Sequence, residues 1–178
     1  MNNEWKAFLE SRGIGIEDGV AAPTPGDLGG CNLFDLGQFG LIRVGGEDAV
    51  DFLQGQLTND VRALTADHSQ LSSYCSPKGR MMASFRLFRL GDDTLIQLPR
   101  TRLGPILRRL RMFVLRSKVT LEDASDDLVQ IALAGDCAPG ILGDLAPAAN
   151  DEAVQGDGLV VVRLAGDRPR FLVTGSPA

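Results

Sequence analysis

The sequence predicts an α+β fold with mostly antiparallel sheets and packed helices. Short stretches of alternating apolar and polar residues recur, most clearly at 81–90. Turns of hairpin length separate them, such as Pro77-Lys78-Gly79 and Gly91-Asp92-Asp93, where a doubly wound parallel sheet would need long crossovers. One stretch, 103–114, switches to helical spacing. Strands and helices interleaved in this way belong to α+β rather than α/β architecture. No internal repeat or low-complexity segment is evident.

Composition sets the outer bounds. The 178 residues are 44% apolar and 23% charged, typical of a globular protein with a real core. No apolar run approaches the roughly 20 residues of a membrane span. The opening Met1-Asn2-Asn3-Glu4-Trp5-Lys6 lacks a signal-peptide pattern, and a cytoplasmic location is the default expectation. Cys31, Cys75 and Cys137 are odd in number and widely spaced, which points to neither a disulfide framework nor a metal site. The single histidine, His68, excludes the usual multi-histidine metal centres. The net charge of −5 argues against nucleic acid as a direct ligand. The distribution is uneven, however: Arg100, Arg102, Arg108, Arg109, Arg111, Arg116 and Lys118 fall in a stretch without a single acid.

Residues 2–12 have helical spacing through Trp5, Phe8 and Leu9, and Gly13 stops them. Residues 15–30, rich in Gly, Ala and Pro, read as an irregular connector. Residues 31–36 and 39–44 alternate around Gly37-Gln38 and read as a hairpin. Residues 47–54 form a short helix with Glu47 and Asp48 in its first turn, where the helix dipole favours acids, and Gly55 at its end. A loop with a helical turn covers 57–67. Strands are expected at 70–74, 81–90 and 94–98. The helix that follows places Leu103, Ile106, Leu107, Leu110, Phe113 and Val114 on one side and its arginines on the other, with Pro105 tolerated near the first turn. Further strands are expected at 118–122, 128–134, 159–164 and 170–174, with a short helix at 138–145. The organisation read from this is an N-terminal helix and connector (1–30), a first α+β unit (31–125) and a second, incomplete one (126–178).

Chemistry concentrates in two places. The loop Gln54-Gly55-Gln56-Leu57-Thr58-Asn59-Asp60 offers amide, hydroxyl and carboxylate groups in a short span. Such groups recognise a heterocycle with amide-like donors and acceptors, or they simply cap the next helical turn. The turn Lys78-Gly79-Arg80 is either an exposed hairpin end with two solvated charges or a cationic site. Phe39 reads as a core aromatic. Cys75 lacks an activating neighbour and reads as a buried strand cysteine. The arginine helix, 102–116, reads as a solvated face, with contact to RNA, to the polyanionic tail of a ligand or to an acidic partner as the other possibilities.

These motifs carry a resemblance. "FLQGQLTNDV" at 52–61, "SPKGRMMASFRLFRL" at 76–90 and "LRMFVLRSKVTLED" at 110–123 resemble, in order and spacing, the YgfZ-type folate-binding proteins. These are relatives of the aminomethyltransferase (T-protein) of the glycine cleavage system, and the resemblance covers roughly 30–174. It implies a tetrahydrofolate ligand and a non-catalytic role in maintaining iron–sulfur client enzymes, with effects on tRNA modification. It further implies Phe39 as the aromatic that flanks the folate, Gln54 and Asn59 as its polar recognition, Met81 as an apolar wall and Lys78 as the charge for its glutamate tail. The aminomethyltransferases carry two aspartates where this chain has Ala83 and Ser84. Neither a methyl nor a hydroxyl accepts a proton near neutral pH, which opposes one-carbon transfer. The family's Lys-Gly-Cys motif and its C-terminal barrel are not found in this stretch of sequence.

Overall fold

A computed structural model describes residues 1–22 and 30–177. Helix α1 (Asn3–Ser11) opens the chain. The Asn2 side chain caps it by accepting from the N–H groups of Glu4 and Trp5 at 2.9 and 3.1 Å, and Gly13 ends it at φ +75°. Strands β1 (Ile16–Glu17) and β2 (Val20–Ala21) form a small antiparallel ladder where an irregular connector was expected. The remainder of that connector, 23–29, lies outside the described residues. Strands β3 (Asn32–Asp35) and β4 (Phe39–Gly45) follow, then α2 (Ala49–Gln54) and a 3-10 turn at Val61–Ala63. Strands β5 (Gln70–Cys75), β6 (Met81–Leu90) and β7 (Asp93–Pro99) make a meander that leads into α3 (Arg100–Arg111). The chain continues through β8 (Thr120–Asp123), β9 (Val129–Ala134), α4 (Ala138–Leu142), β10 (Ala153–Gly156), β11 (Leu159–Leu164) and β12 (Arg170–Gly175).

The fold is α+β with two five-stranded sheets, antiparallel at every pairing. One unit is Phe39–Ala124, built on the sheet β5-β6-β7-β4-β8. The other combines Met1–Gln38 with Ser125–Ala178, built on β10-β11-β12-β9-β3. The hairpin expected at 31–44 is therefore not formed. β3 pairs with β9 (Asn32 opposite Ala134), whereas β4 pairs with β7 and β8. The alternation identified two real strands, but each finds its partners elsewhere, β3 at a sheet edge beside β9 and β4 between β7 and β8. Segment 31–38 accordingly goes with the unit that holds the C-terminal strands.

The same register explains the cysteines. Pairing Asn32 with Ala134 carries Cys31 to the end of β9, and Cys31 and Cys137 are joined as a disulfide with Cα atoms 5.8 Å apart. Gly135 at φ +123° allows the close approach, since a Cβ there would strike the backbone of Gly30. The sequence expectation of no disulfide framework is corrected to this extent. Cys75 stays a free, half-buried thiol.

The two sheets share one plan. β4 leads through Gly46 (φ +104°) into α2, as β9 leads through Gly135 into α4. A Cβ on either glycine would meet the backbone just before the neighbouring edge strand, at Lys118 or at Gly30. Strand order matches throughout: β5, β6, β7, β4 and β8 correspond to β10, β11, β12, β9 and β3. This duplication is invisible in the sequence because β3 precedes its unit in the chain whereas β8 ends its own.

In the unit Phe39–Ala124, one sheet face carries Ile42, Val44, Ala83, Phe85, Leu87, Ile96 and Leu98 against α2 and α3. Leu103, Ile106, Leu107 and Leu110 of α3 are buried there, each contributing on the order of 2 kcal/mol. The helix stops at Arg111, so Phe113, expected on its apolar stripe, is exposed. Pro105 lies in the second turn of α3 rather than the first. In the other unit, Leu133, Val161, Phe171 and Val173 form the core under α4.

Candidate functional site

The hairpin β5–β6 projects one end of the site. Its turn begins at Ser76, whose carbonyl accepts the Gly79 N–H at 2.9 Å. Pro77 presets the second position, and Gly79 takes φ +74°, a conformation that side chains resist. The Ser76 N–H donates to the Arg80 carbonyl at 2.8 Å and closes the turn. Lys78 and Arg80 therefore stand at the tip, both exposed. The ladder slips between Tyr74 and Cys75, which pairs Cys75 with Met81 and turns Met82 partly toward the core. Met81 is left 65% exposed.

The hairpin end and the start of α3 enclose an open depression of ≈ 570 Å³ lined by Ser76, Lys78, Arg80, Met81, Met82 and Arg102. Three of these are cations, and among the described residues no acid pairs with Lys78, Arg80 or Arg102. The surrounding unit shares this polarity. Phe39–Ala124 holds 13 basic and 9 acidic residues, net +4, while the rest of the chain holds 5 and 14, net −9.

The α2–β5 loop is pinned to the edge strand. The Thr58 N–H donates to the Ser73 carbonyl at 3.1 Å, the Thr58 hydroxyl accepts the Ser73 N–H at 3.0 Å, and Leu57 bridges to Tyr74. The Asn59 N–H donates to the Ser72 hydroxyl at 3.3 Å, and its side-chain Oδ1 accepts from the Thr58 hydroxyl at 3.0 Å, so Asn59 is held at the surface. Gln54 Oε1 accepts the Val61 N–H at 2.7 Å. Asp60 caps the 3-10 turn, and the Arg62 guanidinium that bonds it holds its carboxyl below the usual range.

Of the five residues singled out in the sequence, the structure brings Lys78 and Met81 into one depression. Gln54 and Asn59 belong to the pinned loop and do not line it. Phe39 begins β4, opposite Pro99, on the sheet face turned away from α2 and α3. Neighbouring positions 83 and 84 point to opposite faces. Ala83 is buried in the helix-side core, whereas Ser84 is exposed on the face that Phe39 shares. Sequence reading missed Arg102 as a member of the site, because only the register of β6 with β7 places the first turn of α3 beside the hairpin tip. Tyr74 was missed as well: its hydroxyl accepts from Arg109 Nε at 3.1 Å, which ties the arginine helix to the hairpin.

Comparison with known proteins places this arrangement. The GCVT N-terminal domain family matches residues 29–164. Proteins named tRNA-modifying protein YgfZ are similar to the chain. The one from Colwellia psychrerythraea is 30% identical over 159 residues, covering 88% of this chain and 49% of the relative. The one from Hamiltonella defensa is 33% identical over 141 residues, covering 78% and 42%. This chain thus spans about half the length of the curated relatives it matches. Among solved structures, the glycine cleavage system aminomethyltransferase T from Bartonella henselae superposes with a TM-score of 0.78 at 18% identity, over 99% of this chain and 54% of that one. A heterotetrameric sarcosine oxidase from Corynebacterium sp. U-96 does so with a TM-score of 0.56 at 12% identity, over 96% and 84%. The chain belongs to the GCVT N-terminal domain family, as a YgfZ-type member.

Proposed function

We propose that the chain binds a folate-type ligand, tetrahydrofolate or a derivative, through the unit Phe39–Ala124. Its role in this reading is that of a non-catalytic, cytoplasmic folate binder that supports iron–sulfur enzyme maintenance and, through it, tRNA modification. The observation that carries the reading is the depression at the hairpin tip. It joins exposed thioether surface from Met81 to three cations that have no acid partner among the described residues, the complement of a molecule with a flat ring system and a carboxylate tail. Phe39, on the opposite sheet face, and Asn59, on the pinned loop, lie outside this depression, and whether a ligand reaches them is the question the titration below puts. Ser84 on the Phe39 face and Ala83 in the core leave that pair without a proton acceptor, which opposes aminomethyl transfer. Calorimetric titration with tetrahydrofolate tests the reading: a Phe39→Ala, Asn59→Ala variant that binds as tightly as the wild type removes both residues from the site.

The net +4 of this unit favours a second reading, an RNA- or protein-contacting surface along Arg102 and Arg109. RNA affinity that falls steeply with salt supports it, and charge reversal at Arg108 and Arg109 without effect on binding opposes it.

A further inference from the structure

The Cys31–Cys137 bridge sits where it can open without unfolding the sheet beside it. Both half-cystines are exposed, and neither belongs to the apolar cluster of Leu133, Val161, Phe171 and Val173. Cys31 lies just outside the ladder, before the pair Asn32–Ala134, and Cys137 follows the Gly135 turn that ends β9. A thiol in solution therefore has access to the bridge. Exposed disulfides are the ones that exchange, whereas structural ones resist reduction.

What the bridge restrains is otherwise held weakly. β3 is an edge strand whose only partner strand among the described residues is β9. It spans four residues, none fully buried, and its Leu33 and Phe34 are 56% and 44% exposed. Its hold on β9 thus rests on ladder hydrogen bonds, on the Leu36 N–H that donates to the Gln130 carbonyl at 3.0 Å, and on the bridge. A short, exposed ladder of this kind opens locally at lower cost than a core strand.

β3 in turn ties down what precedes it. Asp35 Oδ1 accepts from Trp5 Nε1 at 2.8 Å, and Asp35 Oδ2 accepts the N–H groups of Gly37 and Ala21 at 3.1 and 3.2 Å. One carboxylate at the end of β3 so joins α1 to the β1–β2 ladder. α1 itself fully buries only Leu9, and the contacts of Met1 and Asn2 with Asp126 are exposed.

We infer that Cys31–Cys137 is a thiol-exchange site whose reaction with a dithiol unlatches β3, and with it α1 and β1–β2, from β9. One thiolate of the dithiol attacks a bridge sulfur, the S–S bond breaks and a mixed disulfide forms. The second thiolate then displaces the bound cysteine, which leaves two protein thiols and a cyclic disulfide. Two electrons and two protons pass from the dithiol to the cystine. The inference does not depend on folate binding.

The probe is dithiothreitol, added without denaturant to the Cys75→Ser chain, in which only the bridge can release thiols. The expected result is release of two thiols per chain. Amide hydrogen exchange then accelerates in 16–21 and 32–37 at least tenfold more than in β11 and β12, and oxidised glutathione reverses the change. Trp5, the only tryptophan, lies on the released segment, and its emission shifts to the red in step with thiol release. Cys31→Ser, without reductant, reproduces the exchange pattern of the reduced chain; should that variant fail to fold, the reduced chain alone carries the test. The inference is overturned by a bridge that yields no thiols until denaturant is added. It is equally overturned by reduction that leaves exchange and Trp5 emission unchanged, or by acceleration as large in β11 and β12 as in 16–21 and 32–37, which would make the bridge a staple of the whole unit.

Discussion

The Gln54 side chain and the Val61 backbone close the loop that the sequence offers either as a cap for the next turn or, through the family resemblance, as part of a ligand site. Gln54 Oε1 accepts the Val61 N–H at 2.7 Å, which commits the acceptor end of the amide to the fold. Gln54→Ala is expected to cost about 1–3 kcal/mol in urea unfolding, since it leaves a partly buried N–H without a partner. Gln54→Glu keeps an acceptor and recovers most of that. A ligand-affinity loss in Gln54→Ala that Gln54→Glu restores is then structural in origin.

Positions 83 and 84 separate fold from chemistry. Ala83→Asp buries a carboxylate in the helix-side core without a partner and is expected to cost roughly 3–5 kcal/mol, or to prevent folding. Ser84→Asp lies on an exposed position and is expected to stay within about 0.5 kcal/mol of the wild type. Thermal unfolding of the two variants checks the contrast, and equal stability would overturn the assignment of faces.

The Cys31–Cys137 bridge closes a separation of 106 residues. Reducing agent, or Cys31→Ser with Cys137→Ser, is expected to lower stability by up to about 4 kcal/mol, the range for a long closed loop. Cys75→Ser is expected to leave the reductant effect unchanged. Denaturant titrations with and without reductant decide it.

Much of the fold was legible in the sequence because its signals are local. Asn2 and Gly13 bracket α1, Pro77 and Gly79 set the β5–β6 turn, and Leu103, Ile106, Leu107 and Leu110 mark the buried face of α3. What depends on pairing between distant strands was not legible. β3 and β4 have the same alternation whether they pair with each other or with β9 and β7, and nothing near Cys31 announces Cys137. β10 (Ala153–Gly156) was missed because four residues, one a glycine, carry too little pattern. The candidate site divides along the same line. Lys78 and Met81 are neighbours in sequence and share a depression, while Arg102 joins them only through the sheet.

Charge at the hairpin tip is expected to act on binding and not on stability. Lys78→Gln, Arg80→Gln and Arg102→Gln, all at exposed positions, should each shift the unfolding free energy by less than about 0.5 kcal/mol. Binding of an anionic ligand to the wild type should weaken with added salt, and that dependence should flatten in the triple variant. Titrations at two ionic strengths give the comparison.

The most direct test of folate binding at the hairpin tip is calorimetric titration of the chain with tetrahydrofolate, repeated on Met81→Ser with Lys78→Gln. The account predicts saturable binding that the double variant weakens about tenfold or more, through lost apolar contact and lost charge together. Absent binding, or binding that both substitutions leave unchanged, would contradict it.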